Sequence, residues 1–266
     1  MPFALHMRPS DSQKRDYGEA VLIAGSKGMM GAALLSARAC MRSGVGLLVT
    51  HVPQCGYEIM QLGIPEAKCM TDQDEQFVTH VSLPRGTDVV AVGPGLTTQP
   101  PVQQMLHDLL VEWFHPMVID ADALNILALH PEWLSLVPAG SVLTPNAGEL
   151  HRLAIAPEQL SAQYGLVVVE KGHHTRVHCP DASLFVNTQY GNPGMAVGGS
   201  GDVLTGIILG LMAQHYSPSQ AAILGVSLHA LAADLSIPSV GALESLLPSD
   251  IIDHIGSAIQ SFSIKP

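Results

Sequence analysis

Short apolar runs rich in β-branched residues recur along the chain, at 20–25 (AVLIAG), 45–52 (VGLLVTHV), 88–93 (DVVAVG), 117–121 (MVIDA), 141–145 (SVLTP) and 166–172 (LVVVEKG). Each has the length of a buried strand. Stretches with helical spacing lie between several of them, at 31–44 and 101–114. This alternation predicts an α/β fold with a mostly parallel central sheet and helices on both faces. After Lys171 the texture changes. TRVHC and SLFVN predict two antiparallel strands around a turn at 180–182, followed by a glycine-rich stretch and then helices only, at 202–214, 217–235 and 248–261. Ser217-Pro218 and Pro248-Ser249-Asp250 supply N-terminal signals for the last two helices. No repeat, linker or low-complexity segment divides the chain, so residues 1–266 read as one domain.

Composition narrows the function classes. Hydrophobic residues make up 47% and charged residues 13%, which is a globular, enzyme-like balance. The net charge of -11, with no run of Lys or Arg, argues against nucleic-acid binding. The four cysteines, Cys40, Cys55, Cys69 and Cys179, lack CxxC pairing and suggest neither a zinc site nor a disulfide framework, so a reducing cytoplasm is expected. The opening MPFALHMRPSD has no leader-like apolar core. The longest apolar stretch, taken as 203–213, is too short to span a bilayer, so no membrane association is expected.

Polar turns at the carboxyl ends of strands are where open α/β sheets bind ligands. Four qualify: GPGL at 93–96, DADALN at 120–125, TPNAGE at 144–149 and EKGHHT at 170–175. Taken singly, each is ordinary turn chemistry; their common place on one rim of the sheet is what points to a site. GGSGD, Gly198 to Asp202, is more specific because it runs directly into VLTGIILGLMA. Its amides would face an anion at the positive end of a helix, and glycines let phosphate oxygens approach the backbone. A carboxylate there can take a proton from a hydroxyl attacking the phosphate. The alternative is that Asp202 simply caps the helix. No Walker A motif or dinucleotide fingerprint is present. The thirteen histidines show no metal-ligand spacing, and His229 reads as a partly buried, hydrogen-bonded helix residue.

Taken in order, GSKGMMGAALLSARACMRSGVGLL, AVGPGL, VIDADALN, LTPNAGEL, VEKGHHT and GNPGMAVGGSGDVLTGIILGLMAQ resemble the ADP- or ATP-dependent NAD(P)H-hydrate dehydratases, which have a ribokinase-like fold. The resemblance covers the chain from about Tyr17 to Ile252. It implies repair of hydrated NADH or NADPH: the added hydroxyl is phosphorylated and phosphate is then eliminated. It also implies roles. Asp202 becomes the base, and Gly199, Ser200 and Gly201 the hole for the transferring phosphate. Lys171, Gly172, His173, His174 and Thr175 line the adenine nucleotide. Ala32, Gly93, Gly95 and Asn146 approach the hydrated dinucleotide, and Asn192 shapes the phosphate region. Magnesium travels on the nucleotide phosphates, and no metal held by protein ligands alone is expected. A homo-oligomer is implied as well. In this family the domain is often joined to an epimerase; 266 residues leave no room for both, so the NAD(P)H-hydrate epimerase is expected either as a separate partner protein or as a part of the natural chain outside this sequence.

Three departures from the family pattern stand out. TPNAGE puts Asn146 where the family has a histidine, 152–165 is shorter than usual, and SQKRDYGEA lacks the SHKG entry. Two rival readings share the glycine-aspartate site. One is a small-molecule kinase of the same fold acting on a vitamin-precursor alcohol; the other is a nucleotide-binding protein without turnover.

Overall fold

The computed structural model describes residues 5–263, so the first four residues of the opening stretch lie outside the described residues. The chain runs β1 (Glu19–Ile23), α1 (Met30–Arg42), β2 (Leu47–Val52), α2 (Tyr57–Gly63), β3 (Lys68–Thr71), β4 (Val89–Val92) and α3 (Pro100–Glu112). It continues with β5 (Met117–Ile119), α4 (Ala121–Leu129), β6 (Val142–Leu143), α5 (Ala147–Leu153), α6 (Pro157–Tyr164) and β7 (Val167–Glu170). Last come β8 (Arg176–His178), β9 (Leu184–Val186), α7 (Ser200–Ala213), α8 (Pro218–Val240) and α9 (Pro248–Ser263). The strands form one sheet in the order β3-β2-β1-β4-β5-β6-β7-β8-β9. β1 to β7 pair in parallel, and β8 and β9 close the edge as an antiparallel ribbon.

The continuous apolar runs follow from burial on both faces. On β1, Ala20 and Leu22 face one layer and Val21 and Ile23 the other, all of them at most 1% exposed. Each such large aliphatic side chain contributes about 1.5–3 kcal/mol on burial. α1, α7, α8 and α9 cover the first face, whereas α3 to α6 cover the second. α1 and α7 lie unusually close: a Cβ at Gly206 would stand 2.1 Å from the Ser36 carbonyl oxygen. This contact seats the start of α7 over the sheet, and the Ser36 hydroxyl donates to the Asp202 carbonyl at 2.9 Å.

All six expected strands and the antiparallel pair are present, with ends trimmed by turn residues. β3, KCMT, has no distinctive pattern because its residues are exposed or only half-buried at the sheet edge. Two turns prove to be helix starts. Asp120 and Asn146 are extended N-cap residues of α4 and α5, and Asn146 completes a capping box with Glu149.

Two corrections concern the last helices. α7 begins at Ser200 rather than Asp202, so the Ser-Gly-Asp triplet forms its first turn. α8 continues to Val240, through Pro238, and ends at left-handed Gly241. The apolar stretch at 203–213 is therefore not the longest: α8 has the length and mean hydropathy (1.5) to cross a membrane. It is a core helix, because 78% of that window is buried inside the protein. Its Ser, His and Ala residues broke the apolar run in the sequence without lowering its burial.

Candidate functional site

β4, β5, β6 and β7 are adjacent and parallel, so the four polar turns lie side by side on one rim. The segment after β9 returns across the same rim to reach α7. Between them is a cavity of about 750 Å³.

At its floor, Lys171 follows β7 and its ammonium reaches inward, 2.8 Å from Asp120 Oδ1 and 3.9 Å from Glu149 Oε2. Asp120 is 1% exposed, and its other oxygen accepts from the Thr205 hydroxyl on α7 at 2.6 Å. Glu149 Oε2 also accepts from the Asn146 backbone N–H at 2.8 Å. Each of these buried carboxylates is held by the Lys171 cation and by one further hydrogen-bond donor, which fixes its position. Burial alone would lower the Lys171 pKa, but Asp120, Glu149 and Asp202 outweigh it and hold the ammonium above the ordinary lysine value. Burial likewise raises Glu149, against the opposing pull of Lys171.

Asp202 lies in the first turn of α7. Burial, followed by repulsion from Asp120, pushes its pKa up to about 7, while Lys171 opposes that rise. Asp202 is not the helix cap. That position belongs to Gly199, at φ 93° and with no side-chain capping bond; Ser200 N–H donates to the Val197 carbonyl at 3.4 Å, and the next two N–H groups, of Gly201 and Asp202, have neither an intrahelical nor a capping partner. They point the positive end of α7 at the cavity beside a carboxylate that titrates near neutrality.

Lys171, Gly172, His173, Thr175, Gly199, Ser200, Gly201, Asp202, Asn146 and Asn192 all line this cavity. His174 is not among the lining residues; its ring packs against His173, with centroids 4.2 Å apart. Ala32, Gly93 and Gly95 also lie outside the cavity. Ala32 and Gly95 meet where the strand order reverses between β1 and β4, and a Cβ on Gly95 would be 3.1 Å from Ala32 Cβ. Gly93 instead packs against the end of β5, where its Cβ would be 1.8 Å from the Asp120 carbonyl oxygen. Asn192 caps the turn Pro193–Met195 through the Gly194 N–H.

Asp120, Glu149, Thr205 and His229 were not assigned roles from the sequence. Asp120 and Glu149 sit inside the flagged turns, but nothing local marks them as partners of Lys171. His229 is 7% exposed and hydrogen-bonded, as its pattern suggested, yet it also lines the cavity, 3.2 Å from Ser200 Oγ. Burial, and then Lys171, push its pKa down to about 4, so the imidazole is neutral at pH 7. Among the described residues no group of three or more His, Cys, Asp or Glu is arranged to hold a metal ion.

The family model described as NAD(P)H-hydrate dehydratase matches residues 20–256. This chain belongs to the NAD(P)H-hydrate dehydratase family. Within that family it is 37% identical to the ADP-dependent (S)-NAD(P)H-hydrate dehydratase of Neisseria meningitidis, over 94% of this chain and 88% of that one. The structure superposes on the ADP/ATP-dependent NAD(P)H-hydrate dehydratase of Bacillus subtilis co-crystallized with ATP/Mg2+, with a TM-score of 0.81 and 30% identity. That match covers 97% of this chain and 95% of the other. A ribokinase-like superfamily protein from Enterococcus faecalis matches with a TM-score of 0.83 and 29% identity, over 97% of this chain and 92% of that one, so the fold is ribokinase-like. The chain spans about half the length of the curated bifunctional NAD(P)H-hydrate repair enzymes it also matches.

Proposed function

We propose that this protein is a nucleotide-dependent NAD(P)H-hydrate dehydratase, with residues 1–266 acting as one domain. The observation that carries the reading is the pairing of Asp202, a carboxylate with a pKa of about 7, with the uncapped first turn of α7. Asp202 takes the proton from the added hydroxyl of the hydrated nicotinamide ring as that oxygen bonds to the terminal phosphorus of ADP or ATP. The bond from that phosphorus to the departing nucleotide breaks. Gly199, Ser200 and Gly201 hold the transferring phosphate at the positive end of α7, and the Lys171 ammonium offsets the charge that builds up. The ring nitrogen lone pair then expels phosphate, and the resulting iminium loses a proton from the neighbouring ring carbon to form the double bond that restores NADH or NADPH.

Lys171, Gly172, His173 and Thr175 line the nucleotide, and Asn146, Asn192, Ala32, Gly93 and Gly95 approach the dinucleotide. Magnesium enters as the counter-ion of the nucleotide's phosphates. The carboxylates of Asp120, Glu149 and Asp202 in the cavity suit a hard ion that arrives on its substrate. A homo-oligomer in the cytoplasm, served by a separate epimerase, belongs to the same proposal. The partner is supported by the part of the bifunctional relatives that this chain does not span.

The test is to incubate the protein with hydrated NADH, magnesium and either ADP or ATP, and to follow the return of reduced-nicotinamide absorbance. A rise that requires nucleotide is expected, and the donor that produces it names the preference. No rise with either donor overturns the reading, and phosphorylation of vitamin-precursor alcohols would then be assayed.

A further inference from the structure

Two contacts made by α8 fall at the two ends of one segment. Residues 191–199, GNPGMAVGG, wall the cavity between the β9 edge and α7. Four of these nine residues are glycine, and the internal bonds are few. Met195 N–H donates to the Asn192 carbonyl and Ala196 N–H to the Pro193 carbonyl, both at 3.1 Å, and Gly194 N–H donates to Asn192 Oδ1 at 3.0 Å. A stretch this rich in glycine loses much conformational entropy when it is ordered around a ligand.

α8 restrains both ends. At the start of the segment, the Asp234 carboxylate accepts from Gly191 N–H at 2.8 Å and from Asn192 Nδ2 at 2.9 Å. At its end, His229 Nε2 lies 3.2 Å from the hydroxyl of Ser200, the first residue of α7. His229 and Ser200 are each 7% exposed, so this bond is shielded from competing water. The neutral imidazole fixes the serine hydroxyl without adding charge to the floor already occupied by Lys171.

We propose that His229 and Asp234 are positioning residues, through which α8 pre-forms the 191–200 wall and aims the Ser200 hydroxyl at the phosphates of the bound nucleotide. This rests on the nucleotide-dependent reading given above. Neither residue touches the reacting atoms. Their effect is on how much ordering remains to be done when nucleotide arrives.

The experiment uses the full chain and compares wild type with Asp234→Asn, His229→Ala, His229→Gln and Asn192→Ala. Affinity for ADP and for ATP is measured by calorimetry, hydrogen exchange of 191–199 is measured without nucleotide, and thermal midpoints are recorded. Asp234→Asn and Asn192→Ala break the same bond from opposite sides. Each is expected to speed exchange in the segment and to weaken nucleotide binding about tenfold. For Asp234→Asn, kcat at saturating nucleotide should stay within about threefold, since the lost interaction is one of uniform binding. His229→Ala should weaken binding similarly, and His229→Gln, whose amide reaches the place of Nε2, should recover most of it. Wild-type affinity and wild-type exchange in folded Asp234→Asn and Asn192→Ala overturn the inference, as does failure of Gln to outperform Ala at position 229. If wild type itself binds neither ADP nor ATP, it is the functional reading that fails.

Discussion

At the end of β4, Gly93 backs onto the neighbouring strand so tightly that a Cβ would stand 1.8 Å from the Asp120 carbonyl oxygen. After β7 and before α7, Gly172 and Gly198 have nothing within 4 Å of a built Cβ. All of these glycines belong to family-like motifs on the same rim of the same sheet, yet they do opposite things. Gly93, at φ 133°, lets the ends of β4 and β5 close against each other. Gly172 and Gly198 keep a floor clear. One side of the rim is thus packed shut by backbone contact, and the other is an open cavity with charges at its base. The absence of a side chain serves protein packing at the first and ligand access at the second, and only the surroundings tell the two apart.

The largest expected effect falls on the open side. Asp202→Asn should lower turnover roughly 10²–10⁴-fold while leaving nucleotide binding intact, because the amide keeps the shape but cannot accept the proton. Wild-type activity should fall about tenfold per unit as pH drops below about 7, where Asp202 takes up its proton. Stability moves the other way. The Asp202 pKa is raised from 3.8 to about 7, so the folded protein binds this proton more tightly than the unfolded chain does. The contribution of Asp202 to stability therefore declines as pH rises from about 4 to about 7. Asp202→Asn should accordingly unfold at a higher temperature than wild type above pH 7. Near-normal turnover in that variant, or a pH profile flat down to pH 5, would remove Asp202 as the base.

The next effect links the two sides. Lys171→Met leaves Asp120 buried with only Thr205 as a partner and should cost about 3–5 kcal/mol in denaturant unfolding. Any residual activity should have its acid limb moved to higher pH, because Lys171 is what opposes the rise in the Asp202 pKa. A smaller pair of substitutions tests the contrast directly. Gly93→Ala should destabilise the fold by about 1–3 kcal/mol, through overpacking against the Asp120 carbonyl. Gly198→Ala should leave stability within about 0.5 kcal/mol and instead weaken nucleotide binding. Equal stability losses at the two positions would mean that the open floor is as tightly packed as the closed junction.

The sequence carried the strands of this fold well because burial on both faces writes an unbroken apolar run, as in AVLIAG and DVVAVG. It missed β3, whose edge position needs no apolar run, and it stopped α8 short at residue 235 although the helix goes on to Val240. At the site, the glycine-rich stretch with Asp202 and the EKGHHT turn that holds Lys171 stood out as candidates because their pattern is local: glycines running straight into an apolar helix, and a strand ending in a polar turn. The partners were not. Thr205 and Asp120 are 85 residues apart, Lys171 and Asp120 are 51 apart, and Ser200 and His229 are 29 apart, and none of these pairs has a spacing that a helix or strand would impose.

By itself, then, the sequence determined the alternation of strands and helices, the order of the motifs and the residue types gathered at the start of α7. Each of these depends on residues within a few positions of one another, where backbone geometry limits what neighbours can do. Only the tertiary structure decided which glycines close a junction and which open a cavity, and which carboxylate holds Lys171. It also decided that the Asp202 pKa sits near 7. Those outcomes depend on burial and on charges brought together from distant parts of the chain, and both exist only once the sheet has placed its strand ends side by side.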